Sequence, residues 1–191
     1  GGGPDQNLVL LDDAPIYNST HLYGFFSIFN SDAIHNVNLV KGGFPARYGG
    51  RLSSVLKVNL KEGNKNEFIG KATIGLMASK LTIEGPFPDK KGSYFISGRK
   101  SYIDYLTRNF AKDEFDLEDY KFYDLNAKFN YSFNSKSRLY LSIYKGNDYF
   151  DNTDAGYRQE KDWGNFITSL RYNYLFNNKL FGNFTFTYSD Y

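Results

Sequence analysis

Few side chains in this sequence are placed to do chemistry. There are two histidines and no cysteine, which excludes a thiolate metal site and a disulfide framework together. His21 and His35 are not near each other in sequence, so no metal-ligand spacing exists. His21 lies between polar Thr20 and apolar Leu22. It is open to two readings, contact with a ligand or ligand-borne metal, or a structural hydrogen bond. The glycines of Gly42-Gly43 and Tyr48-Gly49-Gly50 invite comparison with a phosphate-cradling loop. No Lys-Ser/Thr follows them and the GxGxxG order is missing, so they read as backbone bends at positive φ. Asp151-Asn152-Thr153-Asp154-Ala155-Gly156 approaches a calcium loop, but Ala155 stands where an oxygen ligand belongs and the twelfth residue is Asp162 instead of Glu. The acidic run Asp113-Glu114-Phe115-Asp116-Leu117-Glu118-Asp119 reads as a solvated loop. No catalytic residue, cofactor site or metal site is expected, and the chain does not read as an enzyme.

The patterning of the chain carries more. Aromatic residues make up 19% of the 191 residues, with 17 Tyr, 18 Phe and one Trp, while charged residues reach 23% and mean hydropathy is −0.53. That combination suits a membrane β-barrel with aromatic girdles and a polar lumen, because only alternate residues face lipid. Net charge is +2 with scattered basic residues, which gives a nucleic-acid partner no support. No apolar run approaches the roughly 18 residues of a transmembrane helix. Gly1-Gly2-Gly3-Pro4-Asp5 is not a signal peptide; a barrel must be exported, so the native amino terminus is expected to lie elsewhere.

The clearest strand is Tyr120–Phe133. Tyr123, Leu125, Ala127, Phe129, Tyr131 and Phe133 share one face, and Asp124, Asn126, Lys128, Asn130 and Ser132 the other. A period of two sustained this long marks a strand between an apolar and a polar medium. It exceeds the roughly 5–6 residues of a globular strand and fits the roughly 9–11 that cross a bilayer at a tilt. Ser137–Asn147, Trp163–Phe176 and Lys179–Tyr191 repeat the pattern, with Ile167 and Leu175 as exceptions. Glu67–Leu76, Lys80–Gly85 and Ser93–Ile103 alternate less cleanly. Leu125, Phe129, Tyr131, Leu141, Leu170, Phe184 and Phe186 are the expected lipid-facing residues. Gly85–Gly92, Asn134–Lys136 and Asn177–Asn178 are tight turns. Asp104–Asp119 and Asp148–Asp162 are expected to be long polar loops, the asymmetry of an outer-membrane barrel. A soluble β-sandwich also alternates, but strand length, aromatic load and loop asymmetry favour the barrel. About seven strands are expected, and closed single-chain barrels have an even number of at least eight. An unpaired edge cannot stand in lipid, so the barrel is expected to continue beyond Tyr191.

The texture changes at Glu62–Gly63, giving an expected amino-terminal α+β unit over residues 1–62 and barrel strands over residues 63–191. In the first unit Asn7–Asp12, Val37–Lys41 and Ser53–Leu60 read as strands. Asn30-Ser31-Asp32 reads as the cap of a short helical turn through Ile34.

Three runs carry a family resemblance. Gly2-Gly3-Pro4-Asp5-Gln6-Asn7-Leu8-Val9-Leu10-Leu11-Asp12, with Tyr17-Asn18, His21-Leu22 and Gly24-Phe25-Phe26-Ser27-Ile28-Phe29-Asn30, resembles the later half of the plug domain of TonB-dependent outer-membrane receptors. Lys41-Gly42-Gly43-Phe44-Pro45-Ala46-Arg47-Tyr48-Gly49-Gly50-Arg51-Leu52-Ser53-Ser54-Val55 resembles the last plug loop and strand in receptors of the Bacteroidota type. Leu81-Thr82-Ile83-Glu84-Gly85-Pro86 and Ser97-Gly98-Arg99 resemble the first barrel hairpin. The resemblance spans essentially the whole chain.

It implies a twenty-two-stranded barrel closed by a plug, in the bacterial outer membrane. Pulled by TonB through a segment not contained here, the plug lets a scarce solute (siderophore, vitamin, glycan or peptide) into the periplasm. A surface lipoprotein is a further implied partner, and the alternative role is a non-transporting scaffold in a secretion or surface-lipoprotein complex. Asp12, Tyr17, His21, Gly24, Gly42, Gly43, Arg47, Tyr48, Gly49, Gly50 and Arg51 are the implied plug signature. Because His-Leu-x-Gly-Phe belongs to that pattern, the structural reading of His21 is preferred. Asn18, Ser19, Thr20, His21 and Tyr23 are the candidate ligand-facing residues. Arg47 and Arg51, on a plug inside a polar barrel, are expected to pair with wall carboxylates and lock the plug.

Overall fold

Period-two sequence becomes one continuous sheet. The computed structural model describes residues 3, 6–105, 119–154 and 157–191. Within it β7 (Ile69–Ile74), β8 (Ala78–Pro86), β9 (Gly92–Ser101), β10 (Asp119–Asn134), β11 (Ser137–Asp154), β12 (Tyr157–Asn177) and β13 (Leu180–Asp190) pair in chain order. Every neighbour is antiparallel. These are the seven strands the alternation predicts, and the chain is mainly β.

The burial of this sheet is inverted relative to a soluble sandwich. On the inward parity of β10 polar residues are buried along with Tyr120 and Phe122: Asp124 is 2% exposed and Asn126, Lys128 and Asn130 are equally enclosed, whereas outward Leu125 is 42% exposed. Phe184 and Phe186 on β13 are 59% and 66% exposed. Leu170 is exposed on the same outer face. Phe129, Tyr131 and Leu141 are half-buried there, packed with Phe87, Phe133 and Leu139.

What covers the polar face is the amino-terminal unit. Its four-stranded sheet runs β2 (Ala14–Pro15), β1 (Asn7–Leu11), β6 (Ser54–Leu60), β5 (Ile34–Lys41), with β1 and β6 parallel. A short pair, β3 (Thr20–His21) and β4 (Phe26–Ser27), forms its apex. Leu11, Ala14, Ile16, Ile28, Val58 and Leu60 make an apolar core that also takes in Phe95, Tyr144 and Ile167 of the wall. Ile167 therefore breaks the alternation for a reason: its inward position meets the core of the inserted unit instead of water. Leu175 borders a register shift beside the β12–β13 turn. Asp12 and Asp13 adopt φ 45 and 71 in the β1–β2 turn, a conformation Asp tolerates better than most residues.

Two expectations are corrected. Asn30–Ile34 is not a helical turn; Asn30 accepts the Asp32 and Ala33 amides and the chain enters β5 at Ile34. The amino-terminal unit has a tight helical turn at Leu22–Gly24 and no α-helix among its described residues. Asp148–Asp162 is not a loop but the far end of the β11–β12 ribbon, with Asp148 opposite Trp163 and Asp154 opposite Tyr157. At 18 and 21 residues these strands exceed a membrane crossing by about seven residues or more. Most of the Asp104–Asp119 link and the acidic run in it lie outside the described residues, as does the Ala155-Gly156 end of the calcium-like stretch.

The amino-terminal sheet ends at Leu60 and the wall begins at Ile69. Between them Gly63 is buried against the Tyr94 backbone, where an added Cβ would overlap the carbonyl.

Candidate functional site

The inserted unit meets the wall through a ladder of polar contacts, each made by a turn or apex residue of the unit. Lowest is Glu62, paired with Arg138 at 2.7 Å. Next, Asp12 accepts from Lys128 Nζ at 2.9 Å and from Ser142 Oγ at 2.6 Å, while Lys128 also donates to the Leu60 carbonyl at 3.0 Å. Both ionic partners are about 95% enclosed. Asp13 faces Lys57 at 2.9 Å and Arg171 at 3.6 Å. Asn30 donates to Ser97 Oγ at 2.8 Å. Asp32 is clamped between Lys71 at 2.7 Å and Lys80 at 2.5 Å. Hydrogen bonds from those two ammonium groups hold the Asp32 carboxyl down at about 2.

Towards the ribbon end sits the most enclosed group, His21. Its Nδ1 lies 2.7 Å from Asp148 Oδ2 and its Nε2 3.4 Å from Asp124 Oδ2, an ion-pair contact outside hydrogen-bond geometry. The ring stacks on Phe122 with centroids 4.3 Å apart and planes at 12°. Burial pushes the His21 pKa down, but its contacts with Asp124 and Asp148 outweigh that and hold it above the ordinary 6.5. Arg99 grips Asp124 at 2.7 Å and donates to the Ser27 carbonyl at 2.8 Å.

Above His21 the unit's apex and the ribbon enclose a cleft of about 660 Å³ lined by Asn18, Thr20, Tyr23, Glu160, Asp162 and Trp163, a volume typical of small-ligand sites. Asn18 is fixed by Asn165, whose Nδ2 donates to its carbonyl at 2.9 Å. Tyr23 and Trp163 lie 5.4 Å apart and tilted by 41°. Tyr23 holds φ 49 and Gly24 φ 106, the bend that turns the apex back on itself.

Set against known proteins, the likeness is one of fold. The chain is similar to the siderophore receptor PirA from Acinetobacter baumannii, with a TM-score of 0.66 at 16% identity over 98% of this chain. It spans 32% of that receptor's length. A mutant ferric enterobactin receptor, PfeA from Pseudomonas aeruginosa, is matched at TM-score 0.49 and 13% identity, over 97% of this chain and 37% of that one. No protein-family model and no curated protein sequence matches the chain.

The structure distributes the predicted residues unevenly. Asn18, Thr20 and Tyr23 come together in the cleft; Ser19 lies half-buried beside them, its carbonyl bonded to the Ile28 amide. Tyr17 is exposed. His21 is buried and turned to the wall, which removes it from the ligand-facing set. Asp12 is a wall contact. Gly42, Gly43 and Gly50 have positive φ, as bends require, whereas Gly49 does not. Arg47 and Arg51 do not pair with wall carboxylates among the described residues. Arg47 stacks on Tyr48 at 4.8 Å and Arg51 donates to the Gly50 carbonyl at 2.8 Å. Both sit on the Gly42–Ser53 loop, which the described residues of the wall leave exposed. The contacts to the wall fall instead to Asp12, Asp13, His21, Asn30 and Asp32. Their partners Lys128 and Asp124 carry one signal in sequence, charge on the inward parity of a strand. Asp148 carries none, because its strand continues into polar sequence.

Proposed function

We propose that this chain is the plug-to-barrel junction of an outer-membrane receptor of the TonB-dependent kind, importing a scarce solute into the periplasm. The observation that carries the reading is the inverted sheet. Charged and amide side chains of the wall are buried around an inserted unit, while Leu125, Leu170, Phe184 and Phe186 face outward. Such a wall is stable only with an apolar medium outside and a polar filling inside. Residues 1–62 are the later part of the plug and residues 63–191 the first part of the barrel. Asn18, Thr20 and Tyr23 face the solute, with Glu160, Asp162 and Trp163 opposite. The Gly42–Ser53 run supports a receptor of the Bacteroidota type by its sequence resemblance.

Membrane fractionation of the full-length protein tests this. It should require detergent for extraction, migrate faster unboiled than boiled on denaturing gels, and be retained by the periplasmic domain of TonB from the same cell. Recovery in the aqueous fraction without detergent overturns the membrane reading. Extraction with detergent but no TonB retention overturns the energised-import reading.

A further inference from the structure

The wall uses its lysines differently on its two faces. Inward, Lys71 and Lys80 hold Asp32 and Lys128 holds Asp12. Outward, Lys100 of β9, Lys121 of β10 and Lys145 of β11 are exposed and make no ion pair among the described residues. We propose that these three lysines form a binding site for the phosphate groups of a phosphorylated lipid of the outer leaflet. The inference rests on the membrane-barrel reading and adds a ligand on the outer surface, away from the cleft.

Position is the first argument. The β9–β10 register sets Lys100 directly opposite Tyr123. The β10–β11 register sets Lys121 opposite Tyr149 and Lys145 opposite Leu125. Residues opposite one another share a face, so all three lysines lie on the side of Leu125. With strands about 4.8 Å apart and a rise of about 3.4 Å per residue, their Cα atoms form a triangle with sides of about 8, 12 and 14 Å. Below it the outward parity turns apolar, through Ile96 on β9, Leu125 and Phe129 on β10, and Ile143 and Leu141 on β11. The patch thus caps the apolar band, at the end away from the tight turns at 135–136 and 178–179. Short turns of such barrels face the periplasm, so this margin lies at the headgroup level of the outer leaflet.

Charge is the second argument. The outward carboxylates of the neighbouring ribbon are already engaged. Asp162 accepts from Asn147 Nδ2, and Asp151 and Glu160 both face Arg158. Lys121 lies 4.5 Å from the centroid of the Tyr149 ring. Lys145, with Leu125 and Phe166 as its cross-strand neighbours, runs its stem along apolar surface and carries its charge to the headgroup level. Tyr123 and Tyr149 are the amphipathic rings expected at that depth. Phosphate gives each ammonium a charge-assisted hydrogen bond. A free anion would use the lysines alone. A phosphorylated lipid also lays its chains on Ile96, Leu125 and Ile143, so it uses both halves of the surface. At about fivefold per lysine near an anionic surface, the three together contribute on the order of a hundredfold.

The test titrates the full-length protein in nonionic detergent with bisphosphorylated lipid A, read by native mass spectrometry. Dephosphorylated lipid A and inorganic phosphate are the comparison probes. The bisphosphorylated lipid should bind about a hundredfold tighter than the dephosphorylated one, and inorganic phosphate alone should not be retained. Joint replacement Lys100→Gln, Lys121→Gln and Lys145→Gln should remove that advantage, and the same three changed to Arg should keep it. Changing exposed Lys90, Lys91 and Lys136 at the turn end to Gln should leave binding unchanged. Equal binding of the two lipids, an unaffected Gln triple, or a turn-end triple weakened as much overturns the proposal. Inorganic phosphate bound as tightly as the lipid also overturns it, in favour of a free-anion site. If the Gln triple fails to fold, Lys121→Gln alone decides, with a loss of about fivefold expected and no loss refuting it. Fractionation reads the membrane proposal without any added lipid, so the two can fail separately.

Discussion

Replacing Lys128 by Met should release the plug from the wall, and the structure sets the size of the effect. Lys128 is about 95% enclosed, bonded to Asp12 at 2.9 Å and to the Leu60 carbonyl at 3.0 Å. Removing it leaves the Asp12 carboxylate buried with only the Ser142 hydroxyl among its described hydrogen-bond donors. Breaking one side of a buried ion pair costs about 3–5 kcal/mol, and the unpaired carbonyl adds about 1–3 kcal/mol. Asp12→Asn alone leaves a buried ammonium and should cost about as much as the lost pair. Asn suits the site because φ is 45 there and Asn accepts the left-handed region. The double variant contains no buried charge at this rung, so it should cost only about 1–3 kcal/mol for the unsatisfied carbonyl, far less than the two singles together. Urea unfolding of the plug in the full-length protein, followed by protease sensitivity of residues 7–60, gives the three values. A Lys128→Met cost below about 1 kcal/mol would refute the buried-pair reasoning. So would a double variant as damaged as the sum of the singles.

Three other outcomes are expected. Phe186→Arg, on the outer face of β13, should lower barrel stability by about 2–4 kcal/mol, against about 0–1 kcal/mol for Thr185→Arg on the inner face; refolding titrations into lipid vesicles compare them, and equal costs would reverse the facing of the wall. Gly63→Ala should separate the linker from β9, because its Cβ overlaps the Tyr94 carbonyl; reduced yield of folded, heat-modifiable protein reports this, and wild-type yield would contradict the packing. Asp32, held at about 2 by Lys71 and Lys80, stabilises the docked plug above the ordinary carboxylate value of 3.8, and that contribution of about 2 kcal/mol drains away as pH falls from there toward 2. Acid unfolding of wild type against Asp32→Asn checks it: the variant should lack the loss in that window.

Alternation in Tyr120–Phe133 made the wall readable because facing is a local property. In a strand, successive side chains point to opposite sides whatever lies beyond, so Leu125 and Asp124 were sorted before any partner was known. Partnership is not local. Asp12 meets Lys128 only because the β10–β11 register sets Lys128 opposite Ser142, and both then converge on one carboxylate 116 residues away in sequence. Nothing near Arg47 or Arg51 says which carboxylate, if any, along the chain will come to face it.

The misreading of Asp148–Asp162 has a different cause, and it says what the alternation measures. The stretch is polar on both parities, with Asp148, Asp151, Arg158, Glu160 and Asp162 in near succession, and polarity of that kind reads as loop. Backbone pairing is nevertheless unbroken down to Asp154 and Tyr157, supported by Arg158 against Asp151 at 2.7 Å and by the Tyr149 hydroxyl donating to Glu160 at 3.1 Å. A strand needs a partner for its amides, not an apolar face; the apolar face is demanded by the medium. Where the ribbon rises past the apolar band both of its faces meet water, so the period of two fades although the strand continues. On the membrane reading proposed above, the point at which alternation stops in β11 marks the edge of the apolar medium rather than the end of the strand. Side chains beyond it, Glu160 and Asp162 among them, are free to be chosen for what they bind.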